Sequence, residues 1–285
     1  MGLSLVIPAH DEEHRIAPTL QSYREALSDS DQIVVALDRC TDGTASVVME
    51  QAESDNRITL LEFPKLGKGG VIMEAFRSCP GDLIGFVDAD GATPPAEFLR
   101  LVDAASRPGV DGAIASRRHP AAVLPADRSR GRKMASTAFA LGVGALFKLP
   151  YGDTQCGAKV FRREVIERCL PFLSSRDLLF DVDLLAVASQ LGFRITEIPT
   201  VWIDKEGSKI GLVSDSKRMA LSSVRLWLHQ RVMPVVTRQP VTNEPSRRVG
   251  LEVIDLTDVA DTYEGASLLH MQHDNAVNES SRMGA

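Results

Sequence analysis

Two carboxylates one residue apart, Asp88 and Asp90, stand directly behind a short apolar run, Asp82–Val87. Oxygen ligands at that spacing suit a hard divalent cation, Mg2+ or Mn2+, above all when diphosphate oxygens complete its shell. A pair of capping carboxylates ahead of the helix at Pro94 explains the same spacing, so Asp-Ala-Asp alone decides little. Its company adds weight. Pro8-Ala9-His10-Asp11-Glu12-Glu13 follows the apolar run Leu3–Ile7, and Asp38 follows Gln32–Leu37. Gly67-Lys68-Gly69-Gly70 begins a helix, where backbone N–H groups and a lysine can meet an anion. That run lacks the GxxxxGK[ST] spacing of a P-loop and by itself reads as a helix-start turn.

The elements that must position these residues follow from the apolar pattern. Five short runs, Leu3–Ile7, Gln32–Leu37, Ile58–Glu62, Asp82–Val87 and Val110–Ser116, alternate with amphipathic segments near 15–28, 43–55, 68–78 and 95–106. The runs are continuous Val/Ile/Leu, as strands covered on both faces require. The fold class expected is α/β, a Rossmann-like, mostly parallel central sheet with helices on both faces. Asp42-Gly43-Thr44 and Thr93-Pro94-Pro95 read as helix starts, each with a capping side chain and the second with proline at the first helical positions. In such a sheet the ligand crevice lies at the carboxyl ends of the strands, so Pro8–Glu13, Asp38–Thr44, Asp88–Thr93 and Ser116–Arg118 are expected to converge. Beyond a loop at Arg117–Arg130, helices are expected near 132–147, 162–172 and 178–191, then a strand at Arg194–Ile203 and a helix near 213–233. The expected organisation is one domain over 1–237 with C-terminal helices, followed by a disordered acidic tail over 238–285.

The chain has 285 residues and a formal charge of −6, which argues against a protein built to coat nucleic acid. The charge is uneven. The tail carries four basic and eight acidic residues, whereas residues 116–148 hold seven basic residues against the single acid Asp127. Arginine forks match phosphate oxygens, so this segment suits an anionic partner, although a solvated basic face is the plain alternative. Four separated cysteines without a CxxC pair read as reduced thiols of a cytosolic protein. The strand pattern starting at Leu3 leaves no room for a signal peptide ahead of the fold.

Together, Val6-Ile7-Pro8-Ala9-His10-Asp11-Glu12-Glu13, Asp42-Gly43-Thr44, Gly67-Lys68-Gly69-Gly70 and Asp88-Ala89-Asp90 resemble the nucleotide-sugar half of the family 2 glycosyltransferases, which have the GT-A fold. Asp153-Thr154-Gln155-Cys156-Gly157-Ala158-Lys159, Phe180-Asp181-Val182-Asp183-Leu184-Leu185 and Glu206-Gly207-Ser208-Lys209 resemble the dolichyl-phosphate β-glucosyltransferase branch, beside the polyprenyl-phosphate mannose synthases. The resemblance implies that Pro8, Ala9, Glu12 and Asp38 bracket the donor nucleoside, with Lys68 nearby. It implies that Asp88 meets the ribose or the metal shell, that Asp90 binds the metal, and that Lys205 neutralises the departing nucleoside diphosphate. Ser116, Arg117, Arg130 and Arg132 would hold the acceptor phosphate. Asp153 and Gln155 join Asp90 as catalytic candidates that orient sugar or acceptor, the alternative being a turn that anchors the Cys156-Gly157 strand. The mannose synthases have a glutamine two residues after the second aspartate as a further metal ligand, and here that position is Ala92.

The activity so implied is inverting transfer of a hexose, glucose from UDP-glucose, onto a polyprenyl or dolichyl phosphate. GDP-mannose as donor, a soluble acceptor, or an inactive nucleotide-sugar-binding regulator are the alternatives. Sugar nucleotidyltransferases need a glycine-rich loop after the first strand, which Pro8–Glu13 lacks. A lipid acceptor implies peripheral attachment to the cytoplasmic face of a membrane. Met134–Phe147 and the basic stretch Lys217–Val236 are the segments suited to the headgroup region, or else to packing on the domain.

Overall fold

The computed structural model describes residues 2–124, 140–203 and 214–232, with the side chains of the last segment described over 221–230. Its centre is a seven-stranded mixed sheet. In chain order the strands are β1 Leu3–Ala9, β2 Gln32–Asp38, β3 Ile58–Phe63, β4 Leu83–Val87, β5 Gly112–Ser116, β6 Ala158–Arg162 and β7 Ile195–Pro199. Across the sheet they run β3-β2-β1-β4-β6-β5-β7. β1 pairs in parallel with β2 and β4, β2 with β3, and β5 with β7, whereas β6 runs antiparallel to β4 and β5. All strands except β6 therefore end at one edge. β6 starts there, so the residues leading into it join the same crevice.

The helices are α1 Glu13–Ala26, α2 Thr44–Ser54, α3 Lys68–Arg77, α4 Pro95–Ser106, a helical stretch α5 over 140–147, α6 Arg163–Cys169, α7 Phe180–Gln190 and α8 Ser214–Val232. Alternate residues of each strand feed two cores. Leu3, Leu5 and Ile7 of β1 pack with Ile16, Leu20 and Tyr23 of α1 and Phe98 and Leu101 of α4. Val6, Val34 and Phe86 pack on the opposite face with Ile72 and Phe76 of α3 and Phe180 and Leu184 of α7. This two-sided burial is why the strands read as unbroken apolar runs.

The helix expected near 162–172 is present as α6, which follows strand β6 with its buried Lys159 and closes with a 3-10 turn at Leu170–Phe172. At the start of α4, Thr93 is not the cap. Pro94 holds the N-cap position in an extended conformation with Pro95 behind it, so the first helical residue has no N–H to satisfy. At α2 the N-cap is Gly43, and Asp42 just ahead of it accepts the Thr44 N–H at 3.0 Å. The expected boundary at 237/238, the tail, and the 132–139 part of the helix expected before α5 lie outside the described residues.

The remaining helix, α8, sits on α7. Ser223 and Leu226 are buried, and Gln230 donates to Asp183 Oδ1 at 2.8 Å. Its outer face carries Leu221, Val224 and Leu228, with Leu221 74% exposed. Among the described residues no helix is long and apolar enough to cross a membrane.

Candidate active site

The loop after β4 carries Asp88 and Asp90 and is held from three sides. Asp88 N donates to the Gly157 carbonyl ahead of β6 at 3.0 Å. On α1, Thr19 Oγ1 donates to the Ala89 carbonyl and Tyr23 OH to the Thr93 carbonyl, each at 3.0 Å. Ile203 N donates to the Ala92 carbonyl at 3.0 Å. Asp90 accepts the Ala92 N–H at 3.0 Å, which fixes one carboxylate oxygen across the turn at Gly91, where φ is +68°. Burial raises the Asp90 pKa above the ordinary carboxylate value, as does the Asp88 charge, while Arg15 and Lys68 pull it down.

Gly157 makes room for Asp88. A Cβ at this position would overlap Asp88 Oδ2, so the glycine lets strand backbone approach the carboxylate. Gly157→Ala is expected to lose about 2 kcal/mol of stability by overpacking. Urea unfolding checks this, and a midpoint equal to wild type would show that Asp88 moves aside freely.

Lys68 opens α3 and reaches Asp88 Oδ1 at 2.7 Å, with Asp181 Oδ2 at 3.8 Å. Burial opposes its charge, but Asp88 and Asp181 outweigh that and raise its pKa, so it stays an ammonium. The neighbouring glycines serve packing. Gly67 has φ +81° and a Cβ there would overlap the Arg176 carbonyl, while Gly70 donates its N–H to that same carbonyl at 3.1 Å. Asp38, at the end of β2, accepts the N–H groups of Leu66 at 2.6 Å and Gly67 at 3.1 Å. It thus shapes the turn that delivers Lys68. Pro8 and Ala9 are buried at the end of β1. Glu12 is gripped by Arg15, whose Nε and Nη2 donate to its two oxygens at 2.6 and 2.7 Å.

A second cluster lies on the β5 side. Arg117 forks onto Asp153, with Nε to Oδ2 at 2.7 Å and Nη2 to Oδ1 at 2.9 Å, and its guanidinium stacks 4.9 Å from the Trp202 ring. Glu197 on β7 fastens the turn by accepting the N–H groups of Gly152 and Asp153 at 3.1 and 2.8 Å. Burial opposes the charge on Asp153, but the Arg117 hydrogen bonds and charge prevail and lower its pKa. The Asp88 charge contributes to raising the Arg117 pKa, so the two clusters share one field. Ser116 is buried, its hydroxyl accepting the N–H groups of Arg118 and His119 at 3.3 and 3.1 Å. Gln155 donates to the Leu178 carbonyl at 3.2 Å. Burial pushes the Cys156 thiol up to about 12, so it is no nucleophile at neutral pH.

The crevice thus gathers Asp88, Asp90, Lys68, Arg117 and Asp153. Asp38 and Ser116 line it through backbone contacts, and Arg130, Arg132 and Lys205 lie outside the described residues. Sequence reasoning did not single out Arg15, Lys159 or the α1 pair Thr19 and Tyr23. For Arg15 the signal was available, since it stands at i+3 from Glu12 on a helix. Asp181 and Asp183 stand in the first turn of α7. Both are engaged: Asp183 accepts the Ser174 and Ser175 N–H groups at 2.7 and 2.8 Å, and Asp181 pairs with Lys159.

As a donor set, Asp88 and Asp90 fit a hard divalent cation: two carboxylates of one sign share a half-buried turn, and burial already disfavours the charge on the second. Ala92 is a buried methyl and adds no ligand.

Residues 4–170 match the model of glycosyl transferase family 2, and the chain belongs to that family. It is 32% identical to the glycosyltransferase AglD of Haloferax volcanii, over 83% of this chain and 39% of that protein. This chain therefore spans well under half of that relative's length. It is 30% identical to the dolichyl-phosphate beta-glucosyltransferase of Saccharomyces cerevisiae, over 76% of this chain and 72% of that one. In fold it matches glucosyl-3-phosphoglycerate synthase from Mycobacterium tuberculosis, solved with Mn2+, UDP-glucose and phosphoglyceric acid, with a TM-score of 0.60. That match has 15% identity and covers 81% of this chain and 80% of that one.

Proposed function

We propose that this protein is an inverting hexosyltransferase that moves glucose from UDP-glucose onto a polyprenyl phosphate at a membrane surface. The observation that carries the reading is Arg117, oriented by the Asp153 fork and the Trp202 ring and set in one electrostatic field with Asp88. A guanidinium so placed suits an acceptor phosphate facing a nucleoside diphosphate. The sequence likeness to dolichyl-phosphate beta-glucosyltransferases supports the acceptor class.

In this reading Asp88 and Asp90 hold Mg2+ or Mn2+, which supplies charge neutralisation at the departing diphosphate. Pro8, Ala9, Glu12 and Asp38 frame the nucleoside, and Lys68 faces the diphosphate, with Lys205 as a further cation. Ser116, Arg117, Arg130 and Arg132 receive the acceptor. Asp153 is a positioning residue that acts through Arg117, and Gln155 orients the turn beside it. A phosphate monoester is largely dianionic at neutral pH, because its second pKa is about 6, and needs no general base. That matches a site whose nearby carboxylates Asp181 and Asp183 are already bound. A phosphate oxygen attacks the anomeric carbon as its bond to the diphosphate breaks, so an α-linked donor yields a β-linked lipid phosphate. Leu221, Val224 and Leu228, exposed on α8 with Arg225 among them, supply a face suited to a peripheral contact with anionic lipid.

A second reading, a soluble phosphate acceptor, draws on the phosphoglyceric acid in the fold neighbour. Incubation with UDP-[14C]glucose, Mn2+ and either a short polyprenyl phosphate or 3-phosphoglycerate separates the two. Label is expected in the organic phase with the lipid. Label found in glucosylated 3-phosphoglycerate and not in the organic phase favours the second reading, and transfer from GDP-mannose alone overturns the donor.

A further inference from the structure

Beneath Lys68 the core encloses a pair of charges for which the transfer chemistry has no use. Lys159, on β6, is 0% exposed. It donates to the Cys156 carbonyl at 2.6 Å and to Asp181 Oδ1, and its ammonium lies 5.3 Å from the Phe86 ring. Buried this way, it reaches no substrate, and its charge is felt through Asp181. The second oxygen of Asp181 faces Lys68 Nζ at 3.8 Å, beyond hydrogen-bond range. Lys68 instead sits on Asp88 Oδ1 at 2.7 Å, over the same Phe86 ring at 6.0 Å.

Lys68 therefore has one carboxylate engaged and one poised. On Asp88 its ammonium stands where a cation would bind and offsets the repulsion between Asp88 and Asp90. Asp181 is half-neutralised by Lys159, so it does not capture Lys68 outright. We propose that Lys68 is a two-position cation, resting on Asp88 before the donor binds and shifting to Asp181 once a divalent cation claims Asp88, with Lys159 and Asp181 as positioning residues for the second berth. The proposal rests on the reading of Asp88 and Asp90 as the carboxylates that hold the cation. Its consequence is ordered loading: the bare protein resists the metal alone and accepts it with a diphosphate, whose oxygens complete the shell.

The test is titration of the full chain with Mn2+ in the absence of nucleotide, with free Mn2+ followed by electron paramagnetic resonance. Lys68→Met is expected to bind Mn2+ about tenfold more tightly than wild type, because the competing ammonium is gone. Lys159→Met with Asp181→Asn removes one charge of each sign, so the net field changes little and no lone buried charge is left to unfold the chain. With the second berth gone Lys68 is committed to Asp88, and Mn2+ is expected to bind about fivefold more weakly. In the triple variant the affinity returns to that of Lys68→Met alone. No gain from Lys68→Met, no loss from the paired change, or a loss that persists undiminished in the Lys68→Met background would overturn the two-position lysine. Mn2+ binding unchanged by Asp90→Ala would instead overturn the underlying reading of the carboxylates, and the proposal with it.

Discussion

Asp90→Ala is expected to lower kcat/KM for sugar transfer by at least about 10³-fold while the chain stays folded. The carboxylate accepts the Ala92 N–H, and the turn around it keeps its other anchors, from Thr19, Tyr23, Ile203 and Gly157. The loss therefore falls on chemistry. Stability moves the other way. The Asp90 pKa lies above its unfolded value, so its contribution is present below the ordinary carboxylate value, near pH 4, and is lost as pH rises through the raised value. At pH 7 without added metal the alanine variant should melt no lower than wild type, and wild type should gain on the variant as pH falls through the raised value. A large drop in melting temperature at pH 7 would mean that Asp90 is a structural cap.

Arg117→Met carries the second large effect, and it separates acceptor from donor. The variant is expected to lose about 10²-fold in kcat/KM, expressed in the acceptor KM, while UDP affinity measured by calorimetry stays within about twofold. It also leaves Asp153 buried without its partner, at a cost of about 3 kcal/mol read from urea unfolding. Asp153→Asn separates the two consequences, because it keeps the guanidinium but removes its fork. Since the Asp153 pKa is lowered, the pair's stabilisation is present above the ordinary carboxylate value and lost as pH falls through the lowered one. The asparagine variant should thus differ most from wild type at neutral pH and least in strong acid. An unchanged acceptor KM in Arg117→Met would remove Arg117 from the acceptor site.

The parallel half of the fold was legible because its strands, buried on both faces, leave unbroken apolar runs, and the carboxyl-edge rule then brings the loops after β1, β2, β4 and β5 to one edge without any contact information. β6 was not legible. Its period is broken by Lys159, whose burial makes sense only once Asp181, 22 positions later, is folded against it. Asp153 illustrates the same limit. A carboxylate in a turn can face a substrate or an arginine, and the fork to Arg117 spans 36 positions. The glycines of Gly67-Lys68-Gly69-Gly70 suggested anion binding by backbone N–H groups, yet Gly67 and Gly70 answer to Arg176 on the loop before α7. Local spacing marked Lys68 as a cation at a helix start without indicating its pairing with Asp88. It could not tell a phosphate cradle from a close helix–loop contact, because both call for the same glycines.

Transfer with inversion onto a lipid phosphate is read out by proton magnetic resonance of the reaction as it proceeds. With the full chain, UDP-glucose, Mg2+ and a short polyprenyl phosphate, the first new anomeric signal should be that of a β-linked glucosyl phosphate that extracts with the lipid. An α-linked product, or free glucose with no lipid-linked sugar, would rule out inverting transfer to the lipid.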